Sequence, residues 1–148
     1  MTQSAPASHT RAPHQRLALT IGVVYLLVGI AGFFVTGFDG FAEHDHDQTL
    51  LGFAINPLHN IVHLLIGLLG VIMWSSPGRA RTFGWLLVIG YGAAFVYGLI
   101  AVNNPDINIL NINAADNWLH ILSVVAGLAI ALWPRQHSGT TSTGPRAT

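Results

Sequence analysis

The sequence predicts an all-α integral membrane four-helix bundle, made of two repeated helical hairpins with both termini cytoplasmic. Three observations carry that expectation. Only 8% of the 148 residues are charged and 51% are hydrophobic, whereas ordinary soluble domains are roughly 25% charged. Four long apolar stretches, 17–38, 57–74, 82–102 and 114–133, hold a single charged residue between them, Asp116, and runs of about 20 apolar residues are what a bilayer requires. The basic residues fall in alternate connecting segments, as the positive-inside bias demands.

Taken in order, residues 1–16 are polar and without apolar period, which predicts a disordered tail. The run 17–38 is too long for a signal-peptide core and is followed by no small-residue cleavage pattern, so it is expected to stay as a helix. A loop holding "DGFAEHDHDQ" leads to the second span. "SSPGRAR" makes a short turn into the third, and "NNPDINILNIN", with Pro105 and Asp106 as breaker, leads to the fourth. The last residues, 135–148, read as a second disordered tail. Arg11, Arg16, Arg79, Arg81, Arg135 and Arg146 occupy the tails and the middle loop, and every acid except Asp116 lies in the other two loops. Trp74, Trp85 and Trp133 sit near the same ends as the arginines, as interfacial anchors do.

Composition excludes several chemistries. With no cysteine there are no disulfides, thiolate metal sites, thiol catalysis or covalent haem attachment. With no lysine there is no Schiff base, and so no retinal pigment. A formal net charge of zero gives no nucleic-acid footprint. No nucleophile–base pair, phosphate loop or nucleotide motif points to an enzyme.

Shifted by 57 positions, "FAINPLHNIVHLLIGLLG" falls on "LNINAADNWLHILSVVAG". Ile55, Asn56, Asn60, His63, Leu65 and Gly70 meet Ile112, Asn113, Asn117, His120, Leu122 and Gly127, and His59 meets Asp116. Such a repeat implies spatial equivalence. Two hairpins of the same orientation are related by an axis along the membrane normal. Asn56 and Asn113 are expected N-caps, Pro57 a first helical residue, and Asp116 an acid at a favourable helix start.

The repeated polar set is the candidate site. His59 and His63 share a helix face at i and i+4, as do Asp116 and His120. If the two faces converge, they offer four N/O ligands suited to a divalent transition metal (Zn, Cu or Fe). Asn60 and Asn117 would orient the imidazoles, and the acidic, His-bearing loop would concentrate cations outside. Two other readings are open. The His, Asn and Asp residues only make interhelical hydrogen bonds in a structural or accessory subunit. Alternatively, His63 and His120 hold haem, or line a proton path, in a redox or transport protein. Gly22, Gly29, Gly32, Gly90, Gly92 and Gly98, with Ser123 and Gly127, are expected to let helices approach closely. Tyr25 and Tyr91 are placed toward the arginine ends, outside the site, and Tyr97 is expected to be a packed or interfacial residue.

The motifs Asn56-Pro57-Leu58-His59-Asn60-Ile61-Val62-His63 and Asp116-Asn117-Trp118-Leu119-His120 resemble those of a bacterial membrane family common in actinobacteria, catalogued as domain of unknown function 4383. The resemblance covers roughly residues 17–133. It implies a small four-helix protein of the bacterial cell membrane and implies no activity. Its expected partners are the lipid bilayer and a membrane protein or further copies of itself.

Overall fold

The computed structural model describes residues 11–135; most of the two expected tails lies outside the described residues. Four helices account for most of it: α1 (Pro13–Thr36), α2 (Pro57–Met73), α3 (Pro77–Ala101) and α4 (Ala114–Ala131). In the loop before α2, β1 (Thr49–Leu50) and β2 (Phe53–Ala54) form an antiparallel hairpin, Thr49 opposite Ala54. Both loop residues of that hairpin, Leu51 and Gly52, have positive φ, the backbone a two-residue turn of type I′ requires.

Three helices begin at proline, whose fixed φ suits the first helical turn and whose missing N–H costs nothing there. For this reason α1 and α3 start four and five residues earlier than apolarity alone suggests. Asn56 caps α2 by accepting from His59 N at 2.9 Å, and Ser76 caps α3. Asn113 accepts from Ala115 N and Asp116 N, while Asp116 Oδ2 accepts from Asn113 N at 2.8 Å, a reciprocal capping box at the start of α4.

Helices α1, α3 and α4 are long and apolar enough to cross a membrane; α2 is apolar but has only 17 residues. The burial pattern is the reverse of a soluble bundle. Leu27, Ile30, Phe34, Leu65, Ile89, Val96 and Leu122 face outward, while His59, Asn60, His63, Asp116, His120 and Ser123 are buried. An apolar exterior around a polar, small-residue interior is what a lipid solvent selects.

The helices pack chiefly as the antiparallel pairs α1–α2 and α3–α4. Glycines set both seams. A Cβ on Gly22 would lie 2.7 Å from Val71 N, and one on Gly84 would lie 2.7 Å from Ala131 N. A Cβ on Gly32 would overlap the Asn60 amide, and one on Gly98 the Asn117 amide. Gly90 and Gly92, expected in the same role, have nothing within 4 Å of an added Cβ. They lie off the α3–α4 seam, and Gly84 does the work assigned to them.

At the arginine end, Arg11 lies 5.1 Å over the Trp74 ring, Gln15 donates to Trp74 O, and Arg81 donates to Trp133 O at 2.6 Å. At the opposite end the two long loops are tied together. Asn111, at positive φ, donates to Asp45 O and Ile55 O and accepts from Asp45 N. Tyr97 donates to Ile107 O and accepts from Ile109 N, anchoring the second loop to α3 as a packed tyrosine should.

Candidate functional site

The centre of the bundle is a string of aromatic rings. His59 and His63, one turn apart on α2, have ring centroids 4.5 Å apart. Tyr25 of α1 lies 5.1 Å from His63 and 5.4 Å from Tyr91 of α3, and Tyr91 lies 5.4 Å from His120 of α4. All four helices thus contribute a ring. Each of the five residues is almost wholly buried; His63, for instance, is 2% exposed.

Tyr25 Oη and Ser123 Oγ are 2.7 Å apart, and Ser123 Oγ donates to Leu119 O. The serine proton being committed, Tyr25 donates to Ser123. Tyr91 has no such partner. The hydroxyl of Tyr91, both ring nitrogens of His63, and Nδ1 of His59 and of His120 find no hydrogen-bond partner among the described residues. Buried polar groups are normally satisfied, and a set left open costs stability.

Two cavities meet these rings. The smaller, about 110 Å³, lies among α2, α3 and α4 and is lined by His59, His63, Tyr91 and His120 with apolar neighbours. The larger, about 360 Å³, lies between α1 and α4 under the β1–β2 hairpin and is lined by Thr20, Tyr25, His63, Ser123 and apolar side chains. Their walls correspond by position. Tyr25 and Val28 of the larger match Tyr91 and Ala94 of the smaller at an offset of 66; Ile55 and His63 match Ile112 and His120 at an offset of 57.

The predicted ligands are therefore only partly brought together. His59, His63 and His120 face one cavity, but Asp116 does not line it. Its Oδ2 is spent on the helix cap, while its Oδ1, equally buried, has no partner among the described residues. Among the described residues no group of three or more His, Asp or Glu side chains is placed to hold a metal ion. The asparagines do not orient imidazoles. Asn60 donates to Thr36 Oγ1 at 3.0 Å, Asn56 to Glu43 O and Ile109 O, and Asn113 to Gly52 O. Asn117 packs its amide on Gly98. Their short amides fill glycine notches and tie loops, and none is bonded to a ring nitrogen among the described residues.

Tyr25 and Tyr91 are the residues that sequence reasoning misses. Depth along a span, counted from the wrong helix starts, sets them apart from the histidines. A usable signal exists: Tyr25 and Tyr91, like Gly32 and Gly98, are 66 positions apart. That spacing differs from the 57 positions between His63 and His120, and the segment before α2 is longer than the one before α4.

Fold and site together define a class, a small helical bundle, three of whose apolar helices are of membrane-crossing length, that encloses a buried histidine–tyrosine centre. Within that class, the chain belongs to the family described as domain of unknown function (DUF4383), whose model matches residues 15–133. No curated protein and no solved structure matches the chain.

Proposed function

We propose that this is a multi-pass cell-membrane binding protein whose buried imidazole–tyrosine centre receives a ligand. In this reading α2 is the fourth span, the two hairpins are duplicates, and both termini are cytoplasmic. The matched cavity walls and the arginines gathered at one end support those details. The observation that carries the function is His63: 2% exposed, on two cavities, with neither ring nitrogen bonded. The purely structural alternative needs the histidines to clasp helices. The asparagines, Ser123 and Tyr25 supply those bonds instead, and His63 keeps both ring nitrogens unbonded among the described residues.

The test is compositional. Protein extracted from its own membrane in mild detergent is compared with a His63→Phe variant by elemental analysis and by mass spectrometry of the organic extract. One stoichiometric ion or compound, present in the wild type and missing from the variant, supports the reading; none in either overturns it.

A divalent transition metal is the second reading, favoured by three imidazoles on one cavity. The ion would draw on His59, His63 and His120, with side-chain rotation to close the set and Asp116 left on its cap. Dialysis against Zn²⁺, Cu²⁺ or Fe²⁺ tests it: one ion per chain, lost in His120→Ala, supports it, and none sinks it. A porphyrin between His63 and His120 fits poorly, because a cavity of about 110 Å³ falls well short of the roughly 300 Å³ that even small cofactor sites occupy.

A further inference from the structure

The larger cavity has a character of its own. Its walls are almost wholly apolar: Val24, Val28, Leu50, Phe53, Leu119 and Leu122 among others. Its floor carries three buried polar side chains, Tyr25, His63 and Ser123, and the exposed Thr20 stands on its wall. Among the described residues, no Asp, Glu, Lys or Arg lines it. Helices α1 and α4 belong to different pairs and touch each other sparingly, so the seam between them is where the bundle can open sideways. The residues at its rim are outward-facing. Val24 is 50% exposed, Leu122 63% and Leu51 86%.

These features select a ligand. A mouth at mid-helix, rimmed by apolar side chains, faces hydrocarbon when the bundle spans a bilayer, so the entrant arrives from the membrane phase. A floor without a cation disfavours carboxylate and phosphate head groups, because a buried anion needs a paired charge. The floor still offers hydrogen bonds in both senses. Tyr25 gives its proton to Ser123, so its oxygen is left to accept. The neutral His63 ring, unbonded at both nitrogens, donates from one and accepts at the other. A head group bearing carbonyls or hydroxyls on a flat ring suits that floor and packs against the Tyr25 and His63 rings. A volume of about 360 Å³ holds such a head with the first part of a tail, at the lower end of ordinary ligand sites.

The geometry points to a binding site for a neutral, ring-headed membrane lipid of the quinone–quinol class, its head on Tyr25, His63 and Ser123 and its tail leaving between α1 and α4. The inference rests on the reading of the centre as a ligand site and names the ligand for its α1–α4 side. Leu51 adds to it. A leucine held at a φ of 55° is strained where asparagine or glycine would be at ease, and its exposed side chain forms the lip of the cavity. Strain of this kind gathers at sites of use.

The experiment uses the full chain in lipid nanodiscs, loaded with three probes of similar tail length: a benzoquinone with a ten-carbon tail, a saturated fatty acid and an alkane. Retention is measured after re-isolation. One quinone per chain is expected, with the fatty acid and alkane at least about tenfold lower, as loss of a dry hydrogen bond or burial of an unpaired anion implies. Ser123→Leu, which fills the cavity, is expected to abolish quinone retention. His63→Phe, which keeps the volume, is expected to lower it by about tenfold, with both variants first shown to be folded by circular dichroism. Should a variant not fold, the comparison of the three probes on the wild type decides alone. Quinone held no better than alkane, or fatty acid held as well as quinone, overturns the inference. A stoichiometric endogenous compound lost in His63→Phe, with no preference for quinone over the other probes, overturns the lipid assignment alone. No endogenous ligand and no probe retained overturns both readings.

Discussion

Replacing Gly32 by alanine tests the packing that positions the centre. A Cβ at Gly32 would overlap the Asn60 amide, and Asn60 is fully buried with its Nδ2 donating to Thr36 Oγ1 at 3.0 Å. The amide cannot move outward without giving up that bond, nor stay without clashing. Overpacking in a dense seam costs about 1–3 kcal/mol, and an interhelical hydrogen bond in a membrane protein contributes about 0.6 kcal/mol on average. Against this, alanine gains up to about 1 kcal/mol over glycine in helix propensity. The net expectation is a loss of about 1–3 kcal/mol. Gly98→Ala meets Asn117 in the same way and is expected to lose a similar amount. Gly92→Ala meets nothing within 4 Å, keeps the propensity gain, and should be neutral or slightly stabilising. The assay is reversible unfolding in mixed detergent micelles, followed by circular dichroism. If Gly32→Ala and Gly92→Ala unfold together, the close approach of α1 to α2 at Asn60 is wrong, and with it the depth assigned to His63.

Three further outcomes are expected from the same assay. Tyr25→Phe removes the bond to Ser123 and should cost about 0.5–1.5 kcal/mol, whereas Tyr91→Phe removes a buried hydroxyl without a partner and should be neutral or stabilising. Asn113→Ala removes two cap bonds and one loop bond, the backbone N–H of residue 113 still donating to Asp116, and should cost about 1–2 kcal/mol, much as Asn56→Ala, which loses one cap bond and two loop bonds. Leu51→Asn places Asn-Gly in a turn with positive φ at both positions and should stabilise by up to about 1 kcal/mol, measured as a rise in unfolding midpoint.

Much of the architecture was legible because a bilayer imposes it on composition. Uncharged runs, capping asparagines and segregated arginines each have a one-dimensional signature. Helix starts were less legible, since Pro13 and Pro77 begin helices inside polar flanks, where hydropathy is silent. At the site, the i, i+4 spacing leaves the His59 and His63 rings 4.5 Å apart, and His120 lines the same cavity. Asp116 serves two ends: Oδ2 closes the cap, and the buried Oδ1 has no partner among the described residues. An acid three residues past a capping asparagine can close the cap or ligate a metal, and the sequence cannot distinguish an oxygen already bonded from a free one. The asparagines' partners are hard to read from sequence for a related reason. What Asn60 and Asn117 meet is decided by Gly32 and Gly98, on other helices and at another repeat offset. Tyr25 and Tyr91 were lost with that second offset.

The central claim is that the buried imidazoles serve a ligand and not the fold. The measurement that tests it most directly is the unfolding free energy of His63→Phe against wild type, after exhaustive detergent exchange has stripped small molecules from both. A ring whose nitrogens bond to nothing in the protein contributes no clasp, and removing unpartnered buried polar atoms relieves their desolvation. The account predicts that His63→Phe is as stable as the wild type or more so, by up to about 1–3 kcal/mol. A loss of about 1–2 kcal/mol, the worth of a strong interhelical hydrogen bond, would contradict it and return the histidines to a structural role.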